Sequence, residues 1–252
     1  LQNITMEECA ELARTVVSEV AQRHEVPLFL YGAASATPER TMLSDLRRGE
    51  YEGLKARLDG GETTHADATR FPDTGAMQWS PLVARSGGIT VGARSILVAY
   101  NVNVKEKGAT VAKKVGSIVR SSGRLLKSNN GGKIRSGGML PKVQGMGVPV
   151  DELGISQVSM NLLDVALCPL HLAFKTCESL ASDHDVDLCG SEIVGLVPLS
   201  AMLEAGRFFN PEADSDEELV ESAVECLGLN EHHEFNPREH IIEWALDKEV
   251  VE

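Results

Sequence analysis

Between Asp73 and Val150 the chain gathers the residues best suited to chemistry. A glycine-bounded segment, Gly75 to Gly87, carries Gln78, Trp79, Ser80, Arg85 and Ser86 directly before an expected strand. Glycine ends let a backbone approach a ligand closely, and an indole can stack on a flat heterocycle. The plainer reading is a surface connection whose Trp packs on the core, and the residues alone leave both open. Asn101 and Asn103 flank Val102 at a spacing of two, which points both amides to one face of a strand. Gln157, Ser159 and Asn161 repeat that spacing on a second strand, alternating with Val158, Met160 and Leu162. Uncharged polar groups in this pattern suggest a wet groove between sheets, suited to carboxylate, amino and pterin groups. A simply solvated sheet face is the alternative.

Charge singles out the same stretch. From Thr74 to Val150 twelve basic residues stand against one acidic residue, Glu106, in a chain of net charge −13. Fixed cations concentrated in one place attract anionic ligands. Nucleic acid is disfavoured by the overall charge and by the lack of any aromatic residue between Tyr100 and Phe174. A small polyanion remains. Gly87-Gly88-x-x-x-Gly92 has the wrong spacing for a dinucleotide fingerprint and precedes a strand rather than a helix. His232-His233 diverge as neighbours with no cysteine or carboxylate at ligand spacing, so no metal site is expected. No local motif supports a Ser-His-Asp or Cys-His nucleophile.

The elements that must position these groups read as follows. Thr5-Met6-Glu7-Glu8 is a capping box opening a helix to about His24, with Ala10, Ala13, Val16, Val17, Val20 and Ala21 as its apolar stripe. Val26 to Gly32 reads as a short buried strand, Thr37-Pro38 as the start of a second helix through Leu46, and Tyr51 to Leu58 as a short helix. Gly88 to Val104 reads as one strand crossing between subdomains, and Thr110 to about Ser122 as a helix. Arg124 to Pro141, rich in glycine and cations, reads as a mobile basic flap. Then come a strand at Ser156–Leu162, a helix from Pro169 and a strand at Val186–Leu188, which completes the split β-α-β plan of ferredoxin-like sheets. Three further helices are expected: Leu199–Phe209, an acidic one capped at Ser215 and stopped at Gly228, and one from Asn236-Pro237 to Leu246. A faint echo, His24-Glu25-Val26-x-Leu28 against His184-Asp185-Val186-x-Leu188, suggests two related halves.

Seven blocks resemble the glutamate formimidoyltransferase family, the transferase part of formimidoyltransferase-cyclodeaminase. They are VPLFLYGAA (Val26 to Ala34), LRRGEYEGL (Leu46 to Leu54), PDTG (Pro72 to Gly75), GARSILVAYNVNV (Gly92 to Val104), KVQGMG (Lys142 to Gly147), QVSMNLLD (Gln157 to Asp164) and GSEIVGLVPL (Gly190 to Leu199). The resemblance implies an α/β (α+β) chain of two similar ferredoxin-like subdomains with facing sheets and outer helices. The expected division is 1–95 for the remainder of the N-terminal subdomain and 96–252 for the C-terminal one. It also implies transfer of a formimidoyl group between 5-formimidoyltetrahydrofolate and L-glutamate, in histidine catabolism and one-carbon metabolism, with polyglutamylated tetrahydrofolate as cofactor. The folate-contacting segment would be Gly75–Gly87, with Gly75, Ala76, Met77, Gln78, Trp79, Ser80, Ser86 and Gly87 as contacts. This segment is longer here than in the family and reads Gly88-Ile89 where the family often has Ala-Thr.

The family's catalytic histidine lies in an HPRxG-like motif that this sequence lacks, so no catalytic residue is assigned. The first subdomain reads as N-terminally incomplete. Transfer from a folate nitrogen to an amine needs proton shuttling, for which His is the usual group near neutral pH. From chemistry alone, Arg94, Lys142 and the flap cations are candidates for carboxylates, and Asn101, Asn103, Gln144, Gln157 and Asn161 for pterin and amino groups. The alternative is a non-catalytic folate-binding or interaction protein derived from this family. Folate and L-glutamate or formimidoylglutamate are the expected partners, in a homo-oligomer, with neither nucleic acid nor membrane.

Composition sets the bounds. The 252 residues are 42% apolar and 24% charged, enough for two domains, and no apolar run approaches a membrane span. Five scattered cysteines without a C-x-x-C pair suit a reducing compartment, hence the cytoplasm. Leu1-Gln2-Asn3-Ile4 lacks a signal peptide and an initiator Met, so the beginning reads as the inside of a domain.

Overall fold

The computed structural model describes residues 4–65, 67–128 and 131–249. Two units divide the chain between Ser95 and Ile96. The first comprises α1 (Met6–Arg23), β1 (Pro27–Gly32), a 3-10 turn (Pro38–Arg40), α2 (Leu43–Leu46), α3 (Glu50–Leu58), α4 (Asp67–Arg70), β2 (Thr74–Gly75), α5 (Pro81–Ser86) and β3 (Ile89–Ala93). Its sheet runs β2-β1-β3, with β1 antiparallel to β2 and parallel to β3.

Helix α1 starts where the capping box sits: the Glu8 amide donates to the Thr5 hydroxyl and the Thr5 amide to the Glu8 carboxylate. Such a cap contributes about 1 kcal/mol. Ala10, Ala13 and Val17 bury against Leu28, Leu30, Ala34, Val91 and Ala93. Val16 lies beside that row and is exposed. The opposite sheet face is covered as well, Phe29 packing with Leu46, Leu54, Leu58 and Val83. The helix expected from Thr37 through Leu46 is in fact two pieces. Thr37 makes no side-chain cap, the 3-10 turn ends at Arg40, and the backbone is extended again at Met42 before α2. Arg40 is what ends the first piece, since its guanidinium is drawn inward to the carbonyls of Ala68 and Phe71 and to Asp73.

The second unit holds β4 (Val98–Val104), α6 (Thr110–Val119), β5 (Arg124–Lys127), β6 (Lys133–Ser136), β7 (Val143–Val150), β8 (Ile155–Leu162), α7 (Leu170–Ser182), β9 (Leu188–Val194), α8 (Leu199–Phe209), α9 (Asp216–Cys226), α10 (Pro237–His240) and α11 (Ile242–Glu249). The four-stranded sheet has the order β7-β8-β4-β9 with every neighbouring pair antiparallel. With α6 and α7 as the two crossovers, this is the ferredoxin-like β-α-β-β-α-β arrangement, with the β5–β6 hairpin inserted after its first helix. Val98, Tyr100, Val102, Val104, Val158, Met160 and Leu162 face the core with Val111, Val115, Val119, Ala173, Phe174 and Cys177 of the helices. Gly147 lets α6 lie directly on β7: a Cβ there would stand 2.1 Å from the Lys113 amide nitrogen.

Four expectations for this half need correction. Gly88–Val104 is two strands, β3 and β4, separated at 94–97. The basic flap, read as lacking a regular element, carries an antiparallel hairpin that pairs Leu125 with Arg135 and Leu126 with Ile134; Asn129 and Asn130 lie outside the described residues. The last strand runs from Leu188 to Val194 rather than over 186–188, because pairing with β4 begins at Val104–Leu188 and continues to Ala99–Val194. The final helix is broken at Ile241, which leaves helical geometry to form a parallel bridge with Val197. Among the described residues, no helix is long and apolar enough to cross a membrane.

Candidate functional site

The core-facing side of the second sheet fixes what its other side presents. Tyr100, Val102 and Val104 point into the core, so Ala99, Asn101 and Asn103 point away, and the registers align them with Asn161, Ser159 and Gln157 on β8 and with Val194 and Glu192 on β9. The side chains form a connected polar surface. Gln157 Nε2 donates to Asn103 Oδ1 at 2.9 Å and to Glu192 Oε2 at 3.3 Å, and Asn101 Nδ2 donates to the same carboxylate oxygen at 3.4 Å. Asn161 Nδ2 donates to Gln144 Oε1 at 3.4 Å on β7. Asn103 is buried, Asn101, Gln157, Asn161 and Glu192 are half-buried, and Gln144 is exposed. Four of the five candidate amides, all but Asn103, therefore stay open to solvent, and a carboxylate stands among them.

An expected strand ending at Leu188 leaves Glu192 outside the sheet, whereas the pairing of β9 carries it to Asn101. The alternation Ser191 and Ile193 inward, Glu192 and Val194 outward, was the available signal. On the core side, Tyr100 Oη donates to Ser191 Oγ at 3.0 Å, and Ser191 Oγ donates to the Leu227 carbonyl at 2.6 Å. This pins β9 to β4 and to the end of α9, holding Glu192 at its register. Burial raises the Tyr100 phenol above its ordinary value, so it stays a neutral donor.

The first-unit candidates divide by role. Gly75 has φ +80°, and a Cβ there would stand 2.0 Å from the Val26 carbonyl oxygen, so its type is set by strand crossing. Ala76 and Trp79 pack on the cluster of Phe29, Leu46, Leu54, Leu58 and Val83, and the Trp79 ring lies 6.1 Å from that of Tyr51. Ser80 caps α5 by accepting from the Val83 amide at 3.2 Å. Met77 and Gln78 are exposed. Ser86 and Gly87 border a cavity of about 470 Å³ together with Phe29, Tyr51, Leu54 and Arg57. Arg94 is exposed and donates to the Ser95 carbonyl.

Lys142 is exposed at the start of β7, and its carbonyl accepts from the Leu163 amide. The β5–β6 hairpin carries its cations with a pattern of its own. Cross-strand pairing sets Lys127 opposite Lys133 and Leu125 opposite Arg135, so three of the four cations share one face, while Arg124 shares the other with Leu126 and Ile134. Like charges directly opposite destabilise a two-stranded ribbon, and an anion between them removes the penalty. Among the described residues, no cluster of three or more His, Cys, Asp or Glu is placed to hold a metal ion.

Topology and surface together define an α/β protein whose second unit is a ferredoxin-like sheet, helices on one side and an amide-and-carboxylate face on the other. The chain belongs to the formiminotransferase domain family: the formiminotransferase domain matches residues 99–247, and its N-terminal subdomain matches residues 1–94. It is 35% identical over 254 residues to the formimidoyltransferase-cyclodeaminase of Mus musculus, covering 98% of this chain and 43% of that protein. The corresponding figures for the Sus scrofa protein of the same name are 36% over 252 residues, 98% and 43%. A glutamate formimidoyltransferase of Streptococcus pyogenes serotype M1 is 30% identical over 217 residues, covering 86% of this chain and 64% of that protein. The chain thus spans less than half the length of the cyclodeaminase-containing relatives it matches.

Proposed function

We propose that the chain serves transfer of a formimidoyl group between 5-formimidoyltetrahydrofolate and L-glutamate, a reaction of histidine catabolism. The observation that carries this reading is the Glu192 carboxylate held among the amides of Asn101 and Gln157 on a solvent-open sheet face. A pterin ring presents N–H and amino donors beside a carbonyl acceptor on one edge, and a carboxylate flanked by amides presents the matching set. In this reading Glu192, Asn101 and Gln157 hold the pterin, while Asn161 and Gln144 serve amino or carboxylate groups. The names of the relatives support the group transferred, and the open amides support a small polar ligand.

Bound folate supplies the one-carbon unit. The residues of this face bind and orient it, which contributes to rate by fixing the reacting atoms relative to one another. The three cations on one hairpin face support recognition of a polyglutamyl tail, each exposed pair adding about 0.2–1 kcal/mol. The exposed Met77 and Gln78 support folate contact by the Gly75–Gly87 segment. Five unpaired cysteines support a cytoplasmic setting.

Replacing Glu192 with Gln is expected to weaken tetrahydrofolate binding about tenfold, because a charge-assisted hydrogen bond becomes a neutral one. Calorimetry measures this, and unchanged affinity would remove the site. Affinity should also rise with the number of γ-glutamyl units and fall with salt. Equal affinity for mono- and polyglutamylated forms at two salt concentrations would leave the hairpin without its role.

A further inference from the structure

The cavity of about 470 Å³ in the first unit has a chemistry of its own. Arg57 borders it, is 5% exposed, and lies over the Phe29 ring at 4.1 Å. Its guanidinium donates to the carbonyls of Arg70, Leu46 and Thr69. A guanidinium has five N–H groups, so two remain beyond these three bonds. Its partners among the described residues are carbonyl oxygens, with no carboxylate. The other two charges on the cavity wall cancel each other, since Arg47 pairs with Glu50 at 2.9 Å. One buried positive charge is left without a carboxylate among the described residues.

That charge sits at a cost. Burial, and then the neighbouring Arg40 guanidinium, lower Arg57 to about 10, against the ordinary preference of arginine for the charged form. A buried cation is stabilised most by an anion with matched hydrogen-bonding geometry, and the planar guanidinium matches a carboxylate. One side of the wall is apolar or aromatic, with Phe29, Leu43, Leu46, Leu54 and the ring of Tyr51, whose hydroxyl is turned away to the Ala84 carbonyl at 2.6 Å; Ser86 and Thr90 are its uncharged polar side chains.

We propose that this cavity binds a small molecule bearing a carboxylate on an apolar or aromatic body. The carboxylate meets Arg57, and the body lies along Phe29, Leu54 and Tyr51. Ser86 and Gly87 on its rim also belong to the segment read above as a folate contact, but the ligand class is argued from Arg57 and the apolar wall, so failure of folate binding would leave it standing.

The chain has two tryptophans, Trp79 and Trp244. In a Trp244→Phe background, fluorescence therefore reports on Trp79, 6.1 Å from the cavity-wall Tyr51. Sodium benzoate is the probe, with benzamide as its neutral counterpart and acetate as the carboxylate without a body. Benzoate should give a saturable change at a concentration about tenfold or more below either control. Arg57→Lys, which keeps charge but loses the fork, should weaken benzoate about tenfold. Should that variant fold poorly, the double variant Arg47→Gln/Glu50→Gln decides: with the paired charges gone from the wall, benzoate should still bind within a few-fold of the parent protein through Arg57, whereas a purely structural Arg57 would leave Arg47 as the anchor and binding would be lost. Benzoate and benzamide binding alike, no saturable change with benzoate, or loss of benzoate binding in Arg47→Gln/Glu50→Gln would each overturn the proposal.

Discussion

In the second unit a carboxylate, Glu192, lies on an open sheet face and is answered by amides, whereas in the first unit the guanidinium groups of Arg40 and Arg57 are buried and answered mostly by backbone carbonyls. The two arrangements differ in what their removal exposes. Water can replace an amide on the open face at little cost, so those groups are free to be specialised for a ligand. The carbonyls around Arg40 and Arg57 have no such substitute, because the guanidinium groups tie the 3-10 turn and α3 to α2, α4 and the stretch before β2 across short, irregular connections. The first unit therefore adds two buried cations to its three small apolar clusters, whereas the second has one large apolar core.

The sharpest way to break this contrast is Arg40→Met. It strands Asp73 and the carbonyls of Ala68 and Phe71, and should cost the first unit about 3 kcal/mol. Hydrogen exchange over β1 and β3 reads the loss locally; unchanged protection would mean that arginine is not the clamp. A smaller effect is expected on the covered side of the second sheet. Gly147→Ala forces a methyl group into the α6 backbone and should cost about 2 kcal/mol, seen as loss of protection in β7 and α6. Protection equal to that of the parent would show that α6 is not seated as tightly as the geometry requires.

The smallest stability effect belongs to the open face, where Asn101→Leu or Asn161→Leu should change thermal stability by no more than about 0.5 kcal/mol while weakening folate or glutamate binding. Unfolding without a separate binding defect would assign these amides to structure and erase the distinction between the two regions.

What could be read from the sequence follows from how local each signal is. The capping box at Thr5, the alternation of Ser156–Leu162 and the Ser215 cap depend on neighbours within a few residues, and all three are present. The amide face was legible because period two is itself a local pattern. Glu192 was not, since the glycine at 190 and the cysteine at 189 blur the alternation, and only pairing with Asn101 across ninety-one positions fixes its side. The hairpin was hidden by its glycines and by cations that read as solvated. Arg57 was hidden for a similar reason: a basic residue near the end of a short helix reads as a surface charge, and its burial depends on carbonyls supplied by Leu46, Thr69 and Arg70.

The bridge between Val197 and Ile241 bears on the order in which the chain becomes structured as it is made. Val197 donates to the His240 carbonyl and accepts from the Ile242 amide, and both Val197 and Ile241 are fully buried. The stretch joining β9 to α8 thus completes its backbone pairing with residues synthesised about forty positions later. At the usual pace of translation this leaves the second unit open for a few seconds after its sheet has emerged, with an apolar seam waiting for its last strip. A ribosome stalled before Ile241 would hold a chain whose sheet can pair but whose core is unsealed, and that nascent species is the one most in need of a chaperone.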